Sequence, residues 1–266
     1  MPIYQGNQEI GSEYYGVSPQ GRIYQGTQIV QGGYSIDYGA YAYYDASNLA
    51  SYPGSGSTWY DLSGNGNHLT FTGSVSFTSS NGGAIDFSGS STSVSAAFRG
   101  NPSTFDTGNQ VTYICWFKPQ RGTGFDGNQA TLVTMPNDGG TGLPPLLGVF
   151  NTKAFGQIDY AVGDGITFTE SGSVTINNWE MRAFATALTG STKIWSPTGI
   201  TTNASTGSLD PFEFKVISVG GFKANTFSDA SSGYSGSIAQ VVIYNRTLTD
   251  NQILDFYKAT KGRYGY

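Results

Sequence analysis

Carboxylates, one histidine, one cysteine and a set of aromatic rings are the residues of this chain that could do chemistry. Hydrolysis of a glycosidic bond needs two carboxyl groups about 5–10 Å apart across the bond. The glutamates are Glu9 and Glu13 near the N-terminus, Glu170 before a Ser-Gly turn, and Glu180 and Glu213 in isolated strand-like positions. None of them alternates with another acid along one strand, so no catalytic pair stands out. His68 is the single histidine. A Ser-His-Asp triad would have to use it as base, yet Asn-Gly-Asn-His-Leu is a loop-to-strand junction, which favours a structural or solvent-facing role. One His and one Cys build no metal cluster, and Cys115 alone excludes an internal disulfide. Neither a P-loop nor a dinucleotide fingerprint occurs between a strand and a helix. The chemistry of an enzyme is not expected.

Recognition by stacking is the remaining option. Trp59 and Tyr60 lie beside a flexible-looking loop, Pro53-Gly54-Ser55-Gly56-Ser57, and are followed by Asp61, Asn65 and Asn67. Aromatic faces can stack on sugar rings, and Asp or Asn side chains can hydrogen-bond hydroxyls. Core packing of the rings and turn formation by the polar residues explain the same residues equally well. Trp179 opens an alternating strand and reads as core.

These residues must be positioned by strands. The 266 residues include 38 Gly, 18 Tyr and 16 Phe, with only 12% charged. That composition favours strands joined by tight turns over helices. Val111 to Lys118 is the clearest strand. Val111, Tyr113, Cys115 and Phe117 share one face, and Ile114 and Trp116 share the other. Both faces are apolar, so a central strand covered on both sides is predicted. Comparable runs are Ala40–Asp45, Trp179–Ala187, Thr192–Trp195, Phe214–Val219 and Ile238–Tyr244. One helix is predicted after Thr249, whose capping box with Gln252, staple of Leu248 on Ile253, and stripe of Ile253, Phe256 and Tyr257 end at Gly262.

The first 38 residues differ. Ile3-Tyr4-Gln5-Gly6-Asn7-Gln8 recurs as Ile23-Tyr24-Gln25-Gly26-Thr27-Gln28, each copy a short strand, a Gly turn and another strand. Such hairpins bury too little surface to stand alone. They need to pack on the main domain, on a copy of themselves or on another protein. Ile3, Tyr4, Gln5, Ile23, Tyr24 and Gln25 are the docking candidates.

From residue 39 to 266 the chain resembles laminin-G-like, concanavalin A-like domains. The resemblance is carried in order by Trp59-Tyr60-Asp61-Leu62-Ser63-Gly64-Asn65-Gly66-Asn67-His68, Ala84-Ile85-Asp86-Phe87-Ser88-Gly89, a strand ending Trp116-Phe117-Lys118-Pro119, and Ile243-Tyr244-Asn245-Arg246-Thr247-Leu248 before a capped helix. It implies an all-β jelly-roll sandwich with a short C-terminal helix. Family members often carry acidic, calcium-binding residues where this chain has Ala239-Gln240, so the hard oxygen site loses its charged ligands. Asp45, Asp61 and Asp86 could serve a structural calcium, but capping turns is their more usual task; no cofactor is expected. Related glucanases place acids as Glu-x-Asp-x-x-Glu, which is absent here.

The N-terminal repeat is similar to segments that open phage fibres and decoration proteins. Together the two resemblances imply a non-enzymatic virion protein of capsid-decoration, head-fibre or tail-fibre type. Its partners would be other capsid or tail proteins and a host-surface glycan. The alternative is a carbohydrate-binding module of a bacterial surface protein. Virion adornments sit on symmetry axes, so a trimer or symmetric cluster is the expected homo-oligomer, although no heptad encodes it. The formal charge of −5 without a basic run argues against nucleic acid. No apolar stretch reaches the roughly 20 residues of a membrane span, so no membrane insertion is expected. The N-terminus lacks a charged region followed by an apolar run, and a lone cysteine suits a reducing compartment. Synthesis in a host cytoplasm and display on the virion surface are the localisation these features imply.

Overall fold

Turn residues break this sequence into short β-forming runs, and the runs pair into two antiparallel sheets packed face to face. The computed structural model describes residues 3–5, 8–10, 24–25, 28–31, 34–35, 39–88, 95–100, 102, 110–121, 130–136, 145–150, 153–159, 166–186, 191–203, 216–223, 228–229 and 233–266. The first strands are β1 (Ile3–Gln5), β2 (Gln8–Ile10), β3 (Tyr24–Gln25), β4 (Gln28–Gln31) and β5 (Tyr34–Ser35). The sandwich follows with β6 (Ala42–Asp45), β7 (Thr58–Trp59), β8 (Leu69–Thr72), β9 (Val75–Thr78), β10 (Ala84–Ser88), β11 (Ala96–Gly100) and β12 (Thr112–Pro119). Next come β13 (Ala130–Thr134), β14 (Leu146–Phe150), β15 (Lys153–Asp159), β16 (Ile166–Ser173), β17 (Glu180–Thr186), β18 (Thr192–Ser196) and β19 (Gly199–Asn203). The chain closes with β20 (Val216–Val219), β21 (Phe222–Lys223), β22 (Ser228–Asp229), β23 (Ser235–Tyr244) and the helix α1 (Asp250–Thr260).

One sheet runs β19-β18-β17-β12-β23-β10-β9, with β6 also on β23; the other runs β16-β15-β14-β13-β20-β11-β8-β7. Strand β12 behaves as its two apolar faces require. Tyr113, Cys115 and Phe117 enter the core between the sheets. Ile114 and Trp116 enter a second core under α1. Burial pushes the Cys115 thiol well above its usual pKa, as expected for a small buried hydrophobe.

The capping box forms. Thr249 Oγ1 accepts from the Gln252 N–H, and the Gln252 side chain accepts from the Thr249 N–H at 2.9 Å. Leu248 and Ile253 lie in one cluster with Phe256. Gly262 is not the stop that the sequence suggests. The helix tightens into a 3-10 turn over Lys261–Tyr264, and Gly265, at φ 88°, takes the left-handed position.

Strand β23 is bordered on one side by β6 and β10 end to end: Gln240–Ile243 pair with β6, and Ser235–Ile238 with β10. A buried polar cluster closes this seam. Arg263 Nη1 donates to Asp45 Oδ1 at 2.6 Å, both side chains being at most 2% exposed. Arg263 Nε donates to Asn81 O, and Nη2 to Gly83 O. Gln240 Nε2 donates to Asp45 Oδ2 at 2.6 Å. Gln240 therefore has a task of its own: with Arg263 it fills the acceptors of Asp45. Asp86 accepts from Ser237 Oγ. Among the described residues, no three His, Cys, Asp or Glu gather as a metal site.

In the N-terminal segment the two repeat copies pair alike. Gln5 faces Gln8 and Gln25 faces Gln28, and β4 adds β5. Strand β5 lies beside α1. Ile23 falls outside the described residues.

Candidate functional site

The loop from Asp61 to His68 is built around one carboxylate. Asp61 Oδ1 accepts from the N–H groups of Tyr43 and Ser63, each at 2.9 Å, and Oδ2 accepts from Ser63 Oγ and the Asn67 N–H. The chain can turn this tightly because Gly64 and Gly66 adopt φ of 89° and 71°, a region that costs glycine nothing. Asn65 Nδ2 donates to Tyr41 O at 2.9 Å. Asn67 is fully buried, donates to the same carbonyl and accepts from the Tyr44 hydroxyl at 2.5 Å. The Tyr44 hydroxyl is held well above its usual pKa, mainly by burial and next by the Asp61 carboxylate.

Of the five recognition candidates, Trp59 is fully buried, with its ring 5.6 Å from Tyr44 and 6.3 Å from Phe71. Asp61, Asn65 and Asn67 use their side chains to build the loop. Tyr60 alone presents its ring, at 42% exposure. Its backbone is fixed on both sides by Ser51: the Tyr60 N–H donates to Ser51 O, and Ser51 Oγ donates to Tyr60 O, both at 2.7 Å. The exposed His68 meets the Tyr60 ring edge to face at 5.2 Å. His68 Nδ1 accepts from the Asp61 N–H at 3.1 Å. In the neutral ring the proton is then on Nε2, so the imidazole that packs on Tyr60 carries an N–H donor. The arrangement is a rigid aromatic surface with an adjacent N–H, a pattern suited to stacking and hydrogen bonding with a polyhydroxylated ligand. Sequence reading placed His68 in the loop but not against Tyr60, because the pairing of Trp59 with Leu69 that brings the two together is tertiary.

Glu170 and Glu180 are engaged elsewhere. Glu170 pairs with Lys153 at 2.7 Å and Glu180 with Arg182 at 2.8 Å, on strands of different sheets. Glu13 and Glu213 lie outside the described residues. Of the docking candidates, Ile3, Tyr4 and Gln5 form β1, and Tyr24 and Gln25 form β3.

No family model matches the sequence, and no curated protein matches it. Solved structures do match. The binding domain of botulinum neurotoxin DC in complex with SialylT superposes with TM-score 0.58 at 13% identity, over 85% of this chain and 52% of that one. Trypanosoma rangeli sialidase in complex with sialic acid gives TM-score 0.61 at 15% identity, over 88% of this chain and 35% of that one. The botulinum neurotoxin type G receptor-binding domain gives 0.53 at 16%, over 82% and 51%. The fold is concanavalin A-like. The all-β sandwich with one C-terminal helix expected from the motif order is thereby borne out. The chain spans about half the length of the toxin binding domains it matches and about a third of the sialidase.

Proposed function

We propose that this protein is a non-enzymatic recognition protein of a phage virion, docked through the N-terminal strand units, with the sandwich facing outward to bind saccharide at Tyr60. The observation that carries the recognition reading is the Tyr60–His68 pair. It is an exposed ring on an otherwise satisfied loop, on a sandwich whose structural neighbours include proteins solved with SialylT and with sialic acid. The non-enzymatic reading is supported by the engagement of Glu170 and Glu180 with basic partners in separate sheets. The virion reading is supported by the repeated Tyr-Gln-Gly hairpins, which share one register. As a capsid decoration or a head-fibre knob, docking on a symmetry axis would assemble it as a trimer or cluster.

A glycan array probed with the purified protein and with Tyr60→Ala tests the recognition reading. Saturable binding that falls in the variant supports it. Mass analysis of purified particles tests the virion reading, and absence from them sinks it. If the protein binds glycan but is missing from particles, the carbohydrate-binding module of a bacterial surface protein is the correct role for the same site.

A further inference from the structure

The interior of the sandwich beside this loop contains two buried donors with no acceptor. Trp59 Nε1 and Arg99 Nε are both buried and make no hydrogen bond. Among the described residues, Arg99 enters no ion pair. The two donors belong to one transverse row. Trp59 faces Leu69 across β7 and β8. The β8–β11 register, Thr72 to Ala96 through Thr70 to Phe98, continues to place Arg99 opposite Leu69. Arg99 faces Ile217 on β20. Trp59, Leu69 and Ile217 all lie in the core between the sheets and are fully buried. Arg99 shares their side of the sheet and alone in the row keeps solvent access. Two strand spacings, roughly 10 Å, separate the Cα atoms of Trp59 and Arg99, within reach of two long side chains that share one partner. Tyr44 packs its ring on Trp59, with the centroids 5.6 Å apart. Its hydroxyl bonds Asn67, which ties the row to the Tyr60 loop.

A buried Nε–H without an acceptor is costly, and an anion accepting from it would remove that cost. Arg Nε–H and the neighbouring Nη–H form the side-on fork that takes a carboxylate bidentately. We infer that Arg99, in one row with Trp59, is a carboxylate-binding subsite, so that the saccharide taken at this end of the sandwich is an acidic one. This rests on the saccharide reading above and names its ligand class.

The test is a titration at pH 7 with N-acetylneuraminic acid, with its methyl ester, and with acetate as a carboxylate without a sugar. Affinity is read together with the indole N–H resonance of Trp59, assigned through Trp59→Phe. The free acid is expected to bind the protein at least about tenfold more tightly than the ester, the ratio expected when a charge-assisted pair is lost. Arg99→Met is expected to remove that difference and the indole shift while leaving thermal stability equal or higher, because an unpaired guanidinium is being removed. Arg99→Lys keeps the charge and loses the fork, and is expected to fall between. Equal binding of acid and ester, unchanged in Arg99→Met, overturns the subsite and leaves the saccharide reading standing. An indole shift with acetate, lost in Arg99→Met, without sugar binding keeps the carboxylate site and overturns the saccharide reading. Absence of any response to carboxylates overturns the inference, with water the sole partner of both donors. A marked loss of stability in Arg99→Met overturns it as well, since the guanidinium would then have a structural partner.

Discussion

Replacing Arg263 should be among the most damaging single changes in the sandwich. Its guanidinium is 2.6 Å from Asp45, with the two side chains 1% and 2% exposed. It also supplies donors to the carbonyls of Asn81 and Gly83. Burial works against its charge, but Asp45, Tyr264 and Tyr43 together outweigh it and leave the Arg263 pKa raised. Breaking a buried pair typically costs about 3–5 kcal/mol, because the surviving charge is left uncompensated. Arg263→Met leaves Asp45 with donors from Gln240 and from the Ser47 N–H and Oγ, so about 3 kcal/mol is expected. Asp45→Asn leaves a buried cation with only carbonyls and the Asn oxygen, and should fall near the upper end, about 4–5 kcal/mol. The double replacement should cost about 2 kcal/mol less than the sum of the singles, since neither charge is then stranded. Urea denaturation measures all three as shifts in midpoint at constant slope. Singles within about 0.5 kcal/mol of the parent, or a strictly additive double, would refute the claim that this pair locks the C-terminal turn to the β6–β10 seam.

Other consequences follow from burial. Tyr44, Tyr113 and Tyr234 have their pKa raised by burial above the ordinary value of 10.0. Their contribution to stability is complete below pH 10 and is lost as pH rises from the unfolded value toward the folded ones. Tyrosinate absorbance should therefore show these three ionising together with unfolding, and their ionisation in the folded protein would contradict it. The Cys115 thiol should react with a thiol reagent only at the rate of global opening, as judged against hydrogen exchange of β12; fast labelling of the native protein would contradict its burial. Asp61→Ala removes an acceptor from four donors, three in its own loop and one on β6, and should cost about 2–3 kcal/mol while weakening saccharide binding through Tyr60; a variant of parental stability would contradict the loop's construction.

The elements that depend on strict periodicity were legible in the sequence. The two apolar faces of β12 and the capped helix read directly, because alternation and a capping box are local signals. The choice between Trp59 and Tyr60 was not legible. A two-residue strand holds too little alternation to say which ring faces the core, and the tertiary pairing with Leu69 decides it. Asp61, Asn65 and Asn67 looked equally suited to ligand or turn, and their partners Tyr41, Tyr43 and Tyr44 are some twenty residues away. Arg99 gave no signal, since an arginine near the end of a strand ordinarily faces water; its unpaired state exists only once the sheets are packed. Gly262 misled as a helix stop because the 3-10 turn needed to place Arg263 carries the chain three residues further.

Direct binding of an acidic and a neutral glycan to the purified protein, repeated with Tyr60→Ala, tests the central claim most directly. Saturable binding that weakens about tenfold in Tyr60→Ala, roughly 1.4 kcal/mol, with stability unchanged, is the predicted result. A flat response to every glycan, or full affinity in the variant, would contradict it.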